Sequence, residues 1–319
     1  KTVNIPSVNL NFPALTEKDE KDIIYAANHG FDFISASFVR SKEDILLVRK
    51  LIGENGTKVI AKIENEQGVA NFDEILKETD AVMIARGDMG VEMDLEDVPI
   101  IQKQLIFKCR QAGKPVIVAT QMLESMRENK RPTRAEVSDV ANAVMDGTDC
   151  VMLSAETSTG NCPVEAVQTM NRIAMKTEAI MKLSPIEGKT SAGEHEDCLG
   201  LTVCKLTEEI GIKGIIIISN SEGIVGSVSR HRPNVPIYVL NSSIKTVREN
   251  AIYRGVKTFH IKELSDDRDA NVILAVEKVY GSGELDLLDK IAIISGSSIK
   301  NKDSDSILEI LTVKDILNL

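Results

Sequence analysis

The stretch VIAKIENEQGVANFDEILKETDAVMIARGD, Val59 to Asp88, decides how the rest of the chain is read. It opens on a short, strongly apolar run (Val59 to Glu64), passes through a helical pattern and returns to a second apolar run (Ala81 to Asp88). Apolar runs that alternate with helices mark βα units and a parallel sheet. The alternation continues outward on both sides, through Phe31 to Phe38 (FDFISASF) upstream and Pro115 to Gln121 (PVIVATQ) and Cys150 to Glu156 (CVMLSAE) downstream. The helices between have legible ends. Thr16 with Asp19 gives a capping-box start to a helix stopped by Gly30, and another helix should end at Gly113, before Lys114 and Pro115.

Beyond residue 183 the pattern breaks. Ser184 to Asp197 (SPIEGKTSAGEHED) is polar and rich in turn formers, so we divide the chain into a first domain over 1–183, a linker over 184–198 and a second α/β domain over 199–319. The second domain has apolar runs at Gly214 to Ser219, Pro236 to Leu240, Val256 to Ile261, Lys290 to Gly296 and Ile307 to Val313. Only a short polar connection separates the last two, too short for a helical crossover, so they are expected to pair antiparallel in a mostly parallel sheet.

In the first domain every apolar run turns polar at its C-terminal end. Ser37, Lys62 with Glu64, Arg86 with Asp88, Thr120 with Gln121, and Ser154 with Glu156 all stand there. Parallel α/β folds, (β/α)₈ barrels above all, build their active sites at that edge. Strand residues two apart point to the same face, so Lys62 and Glu64 project together, as do Arg86 and Asp88. Two carboxylates from neighbouring strands suit Mg²⁺, whose remaining positions go to water and substrate phosphate. The competing reading is a buried ion pair of Lys62 with Glu64 or Asp88 that serves only the core.

Composition narrows the field. With 38 Lys and Arg against 48 Asp and Glu, the formal charge is −10, and no basic block marks a nucleic-acid footprint. No run approaches the roughly 18 apolar residues of a membrane span, and the first residues lack the layout of a signal peptide. The five cysteines include no CxxC pair, which speaks against a disulfide framework or a zinc site and for reduced thiols in a cytoplasmic protein. The four histidines match no catalytic pattern.

The segments VIAKIENEQGV (Val59 to Val69), ARGDMGVE (Ala85 to Glu92), KPVIVATQMLESM (Lys114 to Met126), RPTRAEVSDVANAVMDGTDCVMLSAET (Arg131 to Thr157) and PVEAVQTM (Pro163 to Met170) closely resemble the pyruvate kinase family, in the same order and spacing. The resemblance implies a partial (β/α)₈ TIM barrel, strands 4 to 8, followed by a smaller α/β regulatory or oligomerisation domain. It implies phosphoryl transfer from phosphoenolpyruvate to ADP, giving pyruvate and ATP in glycolysis, with Mg²⁺ or Mn²⁺ and K⁺ as cofactors. It further implies a cytoplasmic homotetramer without nucleic-acid or membrane partners. Glu64 and Asp88 resemble the divalent-metal ligands, Lys62 the lysine beside the transferred phosphoryl group, and Thr120 the residue at the enolate carbon. The backbone at Gly87 and Asp88 resembles the cradle for the substrate carboxylate. Ser37 resembles a monovalent-cation ligand, while Arg86, Gln121, Ser154 and Glu156 fall along the same pocket.

This sequence departs from the family's pattern in three places, the smallest being Ala155, where the family usually has Gly. The first three barrel strands and the lid domain inserted after the third are not found, and the chain opens on Lys1, so a longer polypeptide or a separate N-terminal piece is expected. The loop SNSEGIVG, with Ser219, Asn220 and Ser221, stands where the family binds an effector phosphate, but Glu222 repels phosphate and Ile224 lacks a hydroxyl. An altered effector or a purely structural loop is the expectation there. Two readings compete with a working kinase: a catalytically silent fragment or paralogue that binds partners, and another barrel enzyme handling phosphoenolpyruvate or pyruvate enolates.

Overall fold

A computed structural model describes residues 13–186, 188, 190, 193–219, 223–296 and 305–317. The chain divides into two compact units, one of Lys1–Cys109 with Lys114–Lys182 and the other of Arg110–Gly113 with Leu183–Leu319.

The first unit holds strands β1 (Phe33–Ala36), β2 (Lys58–Ile63), β3 (Ala81–Ala85), β4 (Val116–Ala119) and β5 (Cys150–Met152). They lie side by side in chain order, every neighbouring pair parallel, which is the sequential winding of a barrel wall. Every residue of β3 and β4 is buried, as strands covered on both faces require. The helix Glu17–Asn28 begins with the expected capping box, Thr16 Oγ1 accepting from Asp19 N–H and Asp19 returning the bond to Thr16 N–H at 2.8 Å. The helix Val98–Ala112 stops at Gly113, whose φ of +68° a side chain would strain. Lys114 then turns back, and its ammonium donates to the carbonyls of Leu76, Lys77 and Thr79 at 2.6, 3.0 and 2.7 Å, closing the C-terminal end of the helix Phe72–Glu78.

One expectation needs correcting. Apart from Lys62, which lies within β2, the polar residues that close the apolar runs stand beyond their strands: β1 ends at Ala36, β2 at Ile63, β3 at Ala85, β4 at Ala119 and β5 at Met152. Arg86 and Asp88 therefore sit in the helix Arg86–Glu92, and the alternation of strand faces does not relate them. Ladder pairing ends at Ala85 opposite Ala119, and two residues on, the Gly87 N–H bonds the Thr120 side chain.

The second unit is a three-layer α/β structure. Its strands β6 (Gly214–Ile218), β7 (Ile237–Asn241), β8 (Val256–His260), β9 (Lys290–Gly296) and β10 (Asp305–Thr312) take the order β10-β9-β6-β7-β8. All pairs are parallel except β10 with β9, which is antiparallel as the short connection implied. Ile216, Ile218, Tyr238, Leu240, Ile291 and Ile293 pack on one face beneath the helix Arg268–Gly281, while Ile215, Ile217, Ile237, Val239, Ala292 and Ile294 pack on the other with Val203, Ile224, Val225 and Val228. On that second face the helices Glu194–Glu209 and Ile224–Ser229 approach so closely that a Cβ added at Gly200 would stand 2.3 Å from the Ser227 carbonyl oxygen.

Below that contact lies a cation-rich cluster. Arg230 is fully buried, donating to the carbonyls of Gln111 and Gly188 and pairing with Asp197 at 3.7 Å. Beside it His231 is 1% exposed, and burial, reinforced by the Arg230 charge, pushes its pKa down to about 4. An unfolded histidine binds its proton near pH 6.5, so between pH 6.5 and 4 the unfolded state takes up the proton first and stability falls as pH falls. We expect this residue to remove about 2–3 kcal/mol of stability between pH 7 and pH 4. Urea unfolding of wild type and His231→Gln at both pH values checks it: the variant should lose less on acidification, and equal losses would refute the assignment.

Candidate active site

The polar strand ends meet at the carboxyl edge of the first unit's sheet, in the short segments that follow β1 to β5. Lys62, near the end of β2, reaches two partners: its Nζ donates to Ser37 Oγ at 3.0 Å and lies 2.7 Å from Glu64 Oε1. The Glu64 contact is an ion pair, and the Glu64 side chain is wholly buried beside it. The other oxygen, Oε2, accepts from Phe38 N–H at 2.6 Å. Burial raises the Glu64 pKa, the Lys62 ammonium and the Phe38 N–H pull it back, and the Asp88 charge adds to the rise. Glu64 and Asp88 thus feel each other's charge across the ends of β2 and β3, an arrangement that a bound cation would relieve. Two carboxylates at neighbouring strand ends suit a hard divalent ion that keeps most of its positions for water and substrate. Among the described residues no group of three or more His, Cys, Asp and Glu is placed to hold a metal.

Thr120 follows β4 with φ +69°, and Gln121 follows it at +53°. Among the described residues only four other than glycine have positive φ, and Phe38, Thr120 and Gln121 are three of them. Each such residue costs on the order of 1–3 kcal/mol and persists where its surroundings impose it, which is a property of functional sites. Thr120 Oγ1 accepts from Gly87 N–H at 2.7 Å and donates to the Ala119 carbonyl at 2.6 Å. Gly87 is the close-approach position, since a Cβ there would lie 3.2 Å from that hydroxyl.

Arg86 lies behind Thr120. Its Nη2 donates to the Thr120 carbonyl at 2.9 Å, and its Nη1 pairs with Asp139 at 2.6 Å and bonds Gln102 at 3.3 Å. Glu156 differs from its expected place. It is fully buried, and its two oxygens accept from the N–H groups of Leu123 and Ser154 at 3.0 and 2.7 Å, so it braces the segments after β4 and β5 and offers no surface to a pocket. Ser154 precedes the helix Ala155–Ser158, and Gln121 is exposed. Asp139 and Gln102 escaped the sequence reading because they lie in helices, 53 and 16 residues from Arg86, and no spacing rule connects them. In the second unit the Ser219 carbonyl accepts from Asn241 and Ile224 is wholly buried, while Asn220 and Ser221 lie outside the described residues.

A parallel sheet wound in chain order, with helices between its strands and polar residues at their carboxyl ends, defines an α/β barrel-type protein. The family model for the pyruvate kinase barrel domain matches residues 1–167, and that for the pyruvate kinase alpha/beta domain matches residues 198–311. The chain belongs to the pyruvate kinase family. It is 42% identical to a pyruvate kinase of Geobacillus stearothermophilus across 99% of this chain and 55% of that protein. It is 44% identical to pyruvate kinase 1 of Candida glabrata across 93% of the chain and 62% of the relative, and 38% identical to a pyruvate kinase of Clostridium acetobutylicum across 98% and 67%. The chain therefore spans between 55% and 67% of the length of these relatives.

Proposed function

We propose that this chain carries the phosphoryl-transfer site of an enzyme that moves the phosphoryl group of phosphoenolpyruvate to ADP and protonates the resulting enolate to pyruvate. The observation that supports it most is the Lys62–Glu64 ion pair at the end of β2, with the Asp88 charge acting on Glu64 and Thr120 bonded to Gly87, the neighbour of Asp88, in a chain of this family. Lys62, tethered by Ser37 and Glu64, presents a compact positive charge that can follow the phosphoryl oxygens through a loose transition state, which is electrostatic catalysis rather than nucleophilic attack. Glu64 and Asp88 would hold Mg²⁺ or Mn²⁺, which when bound neutralises charge developing on substrate and phosphoryl oxygens. Thr120 Oγ1 faces the enolate carbon in this reading. A hydroxyl is too weak an acid to be the ultimate source, so it passes on a proton drawn from water. Because the Gly87 N–H is engaged by Thr120, the cradle for the substrate carboxylate falls to the helix start at Asp88, where early N–H groups lack intrahelical acceptors. A potassium ion at Ser37 would share the oxygen that receives Lys62. A homotetramer working in the cytoplasm belongs to the same proposal; no helix among the described residues is long and apolar enough to cross a membrane.

The test is a coupled assay of pyruvate formation by the native protein. Turnover should require phosphoenolpyruvate, ADP and a divalent ion together, and should vanish on chelation. Absence of pyruvate under saturating conditions would overturn the proposal and leave a binding role.

A further inference from the structure

We propose that Arg86 and Asp139 are positioning residues that hold Thr120 in register for its proton relay, an inference that rests on the role just given to Thr120. A β-branched residue at φ +69° is a genuine backbone outlier, and something must keep it there. Thr120 is gripped three times: Arg86 Nη2 takes its carbonyl at 2.9 Å, Gly87 N–H takes its hydroxyl oxygen at 2.7 Å, and the hydroxyl proton goes to the Ala119 carbonyl at 2.6 Å. Two of these grips come from consecutive residues at the start of the helix after β3, so the end of β3 acts as a clamp on the end of β4. The carbonyl bond fixes the peptide plane between Thr120 and Gln121, and the hydroxyl bond fixes the direction of Oγ1.

The clamp has its own support. The Arg86 side chain is 10% exposed, and its outer nitrogen is held by Asp139 Oδ1 at 2.6 Å, from the helix Arg134–Asp146, and by Gln102 Oε1 at 3.3 Å. Gln102 is fixed in turn by Asp146 at 2.9 Å. A guanidinium can face Asp139 with one nitrogen and Thr120 with the other because its fork is planar and rigid; an ammonium cannot span both. Asp139 therefore reaches the reaction through Arg86 and the Thr120 peptide. Displacing a reacting group by about 1 Å costs on the order of 10²-fold in rate.

The experiment compares Asp139→Asn in the native protein with the same change in a Thr120→Ala background, by steady-state kinetics and by amide hydrogen exchange at Gly87. We expect kcat to fall on the order of 10²-fold in the first case with KM for phosphoenolpyruvate nearly unchanged. In the Thr120→Ala background the further fall should be within about threefold, since residues acting as a unit are not additive. Exchange at Gly87 should quicken, and Asp139→Glu, which keeps the carboxylate, should recover most of the lost kcat. If Asp139→Asn does not fold, Arg86→Lys, which keeps the charge but cannot span Asp139 and the Thr120 carbonyl, is the test variant and should show the same loss of kcat and the same faster exchange. Multiplicative losses, a loss confined to KM, or an unchanged Gly87 exchange rate would overturn the inference. A wild-type protein that makes no pyruvate would defeat the proposed function instead, and the Gly87 exchange would still decide whether Asp139 governs the clamp.

Discussion

Replacing Lys62 by methionine is expected to lower kcat for pyruvate formation by at least about 10³-fold while leaving the protein folded. Methionine has nearly the length and volume of the lysine stem but no charge, so the change removes the ammonium without opening the site. The Lys62 Nζ, 2.7 Å from Glu64 Oε1 and 3.0 Å from Ser37 Oγ, is the cation nearest the Glu64 carboxylate, and a preorganised charge in a partly buried site is worth far more than one in water. KM for phosphoenolpyruvate should move much less than kcat, because a charge that follows the transferring group acts most strongly in the transition state. Initial rates at saturating substrates, with thermal unfolding as the control for folding, decide the matter. A kcat within tenfold of wild type would remove Lys62 from the chemistry and return it to the bland reading, a counter-ion for Glu64.

The second large effect is on stability. Gly200→Ala should destabilise the second unit by about 3 kcal/mol or more, at the upper end of overpacking penalties. The new methyl would stand 2.3 Å from the Ser227 carbonyl oxygen and 2.7 Å from its carbon, and those are backbone atoms of the helix Ile224–Ser229, not the end of a flexible side chain. Relief requires the two helices to part, and Val203, Val225 and Val228 in the same core would lose packing as they did so. For a unit of this size the melting temperature should drop by about 10 °C. Denaturant unfolding and calorimetry read the change directly; a loss under 1 kcal/mol would mean that the helices separate freely.

Much of this was legible before any coordinates. The apolar runs located all ten strands found among the described residues, and the antiparallel last pair followed from the length of its connection. Thr16 with Asp19 announced a helix start and Gly113 a helix stop because capping and positive φ are written in single residues. Lys62 and Glu64 were found together because a strand and the residue just past it keep the period of two. The same rule misled for Arg86 and Asp88, where the chain had already turned into a helix. What the sequence hid were the long-range polar bonds: Arg86 to Asp139, Glu156 to Leu123 and Lys114 to three carbonyls. Hydrogen bonds between elements depend on how helices pack around the sheet, and no local periodicity encodes that. The strained Thr120 was equally invisible, since its positive φ is imposed by partners far along the chain rather than by its own residue type.

Strand β6 has a consequence outside catalysis. Its residues, Gly214 and four consecutive isoleucines, are wholly buried between two helical layers, and the run carries no charge and no proline. Short uncharged segments of high β-propensity are the units from which cross-β aggregates grow. The folded sheet keeps this segment sequestered by pairing it on both sides, with β7 and β9, one of which arrives about seventy residues later in the chain. During synthesis the isoleucine run must wait for that partner, so the yield of soluble protein is a race between completing the sheet and self-association of the waiting chain.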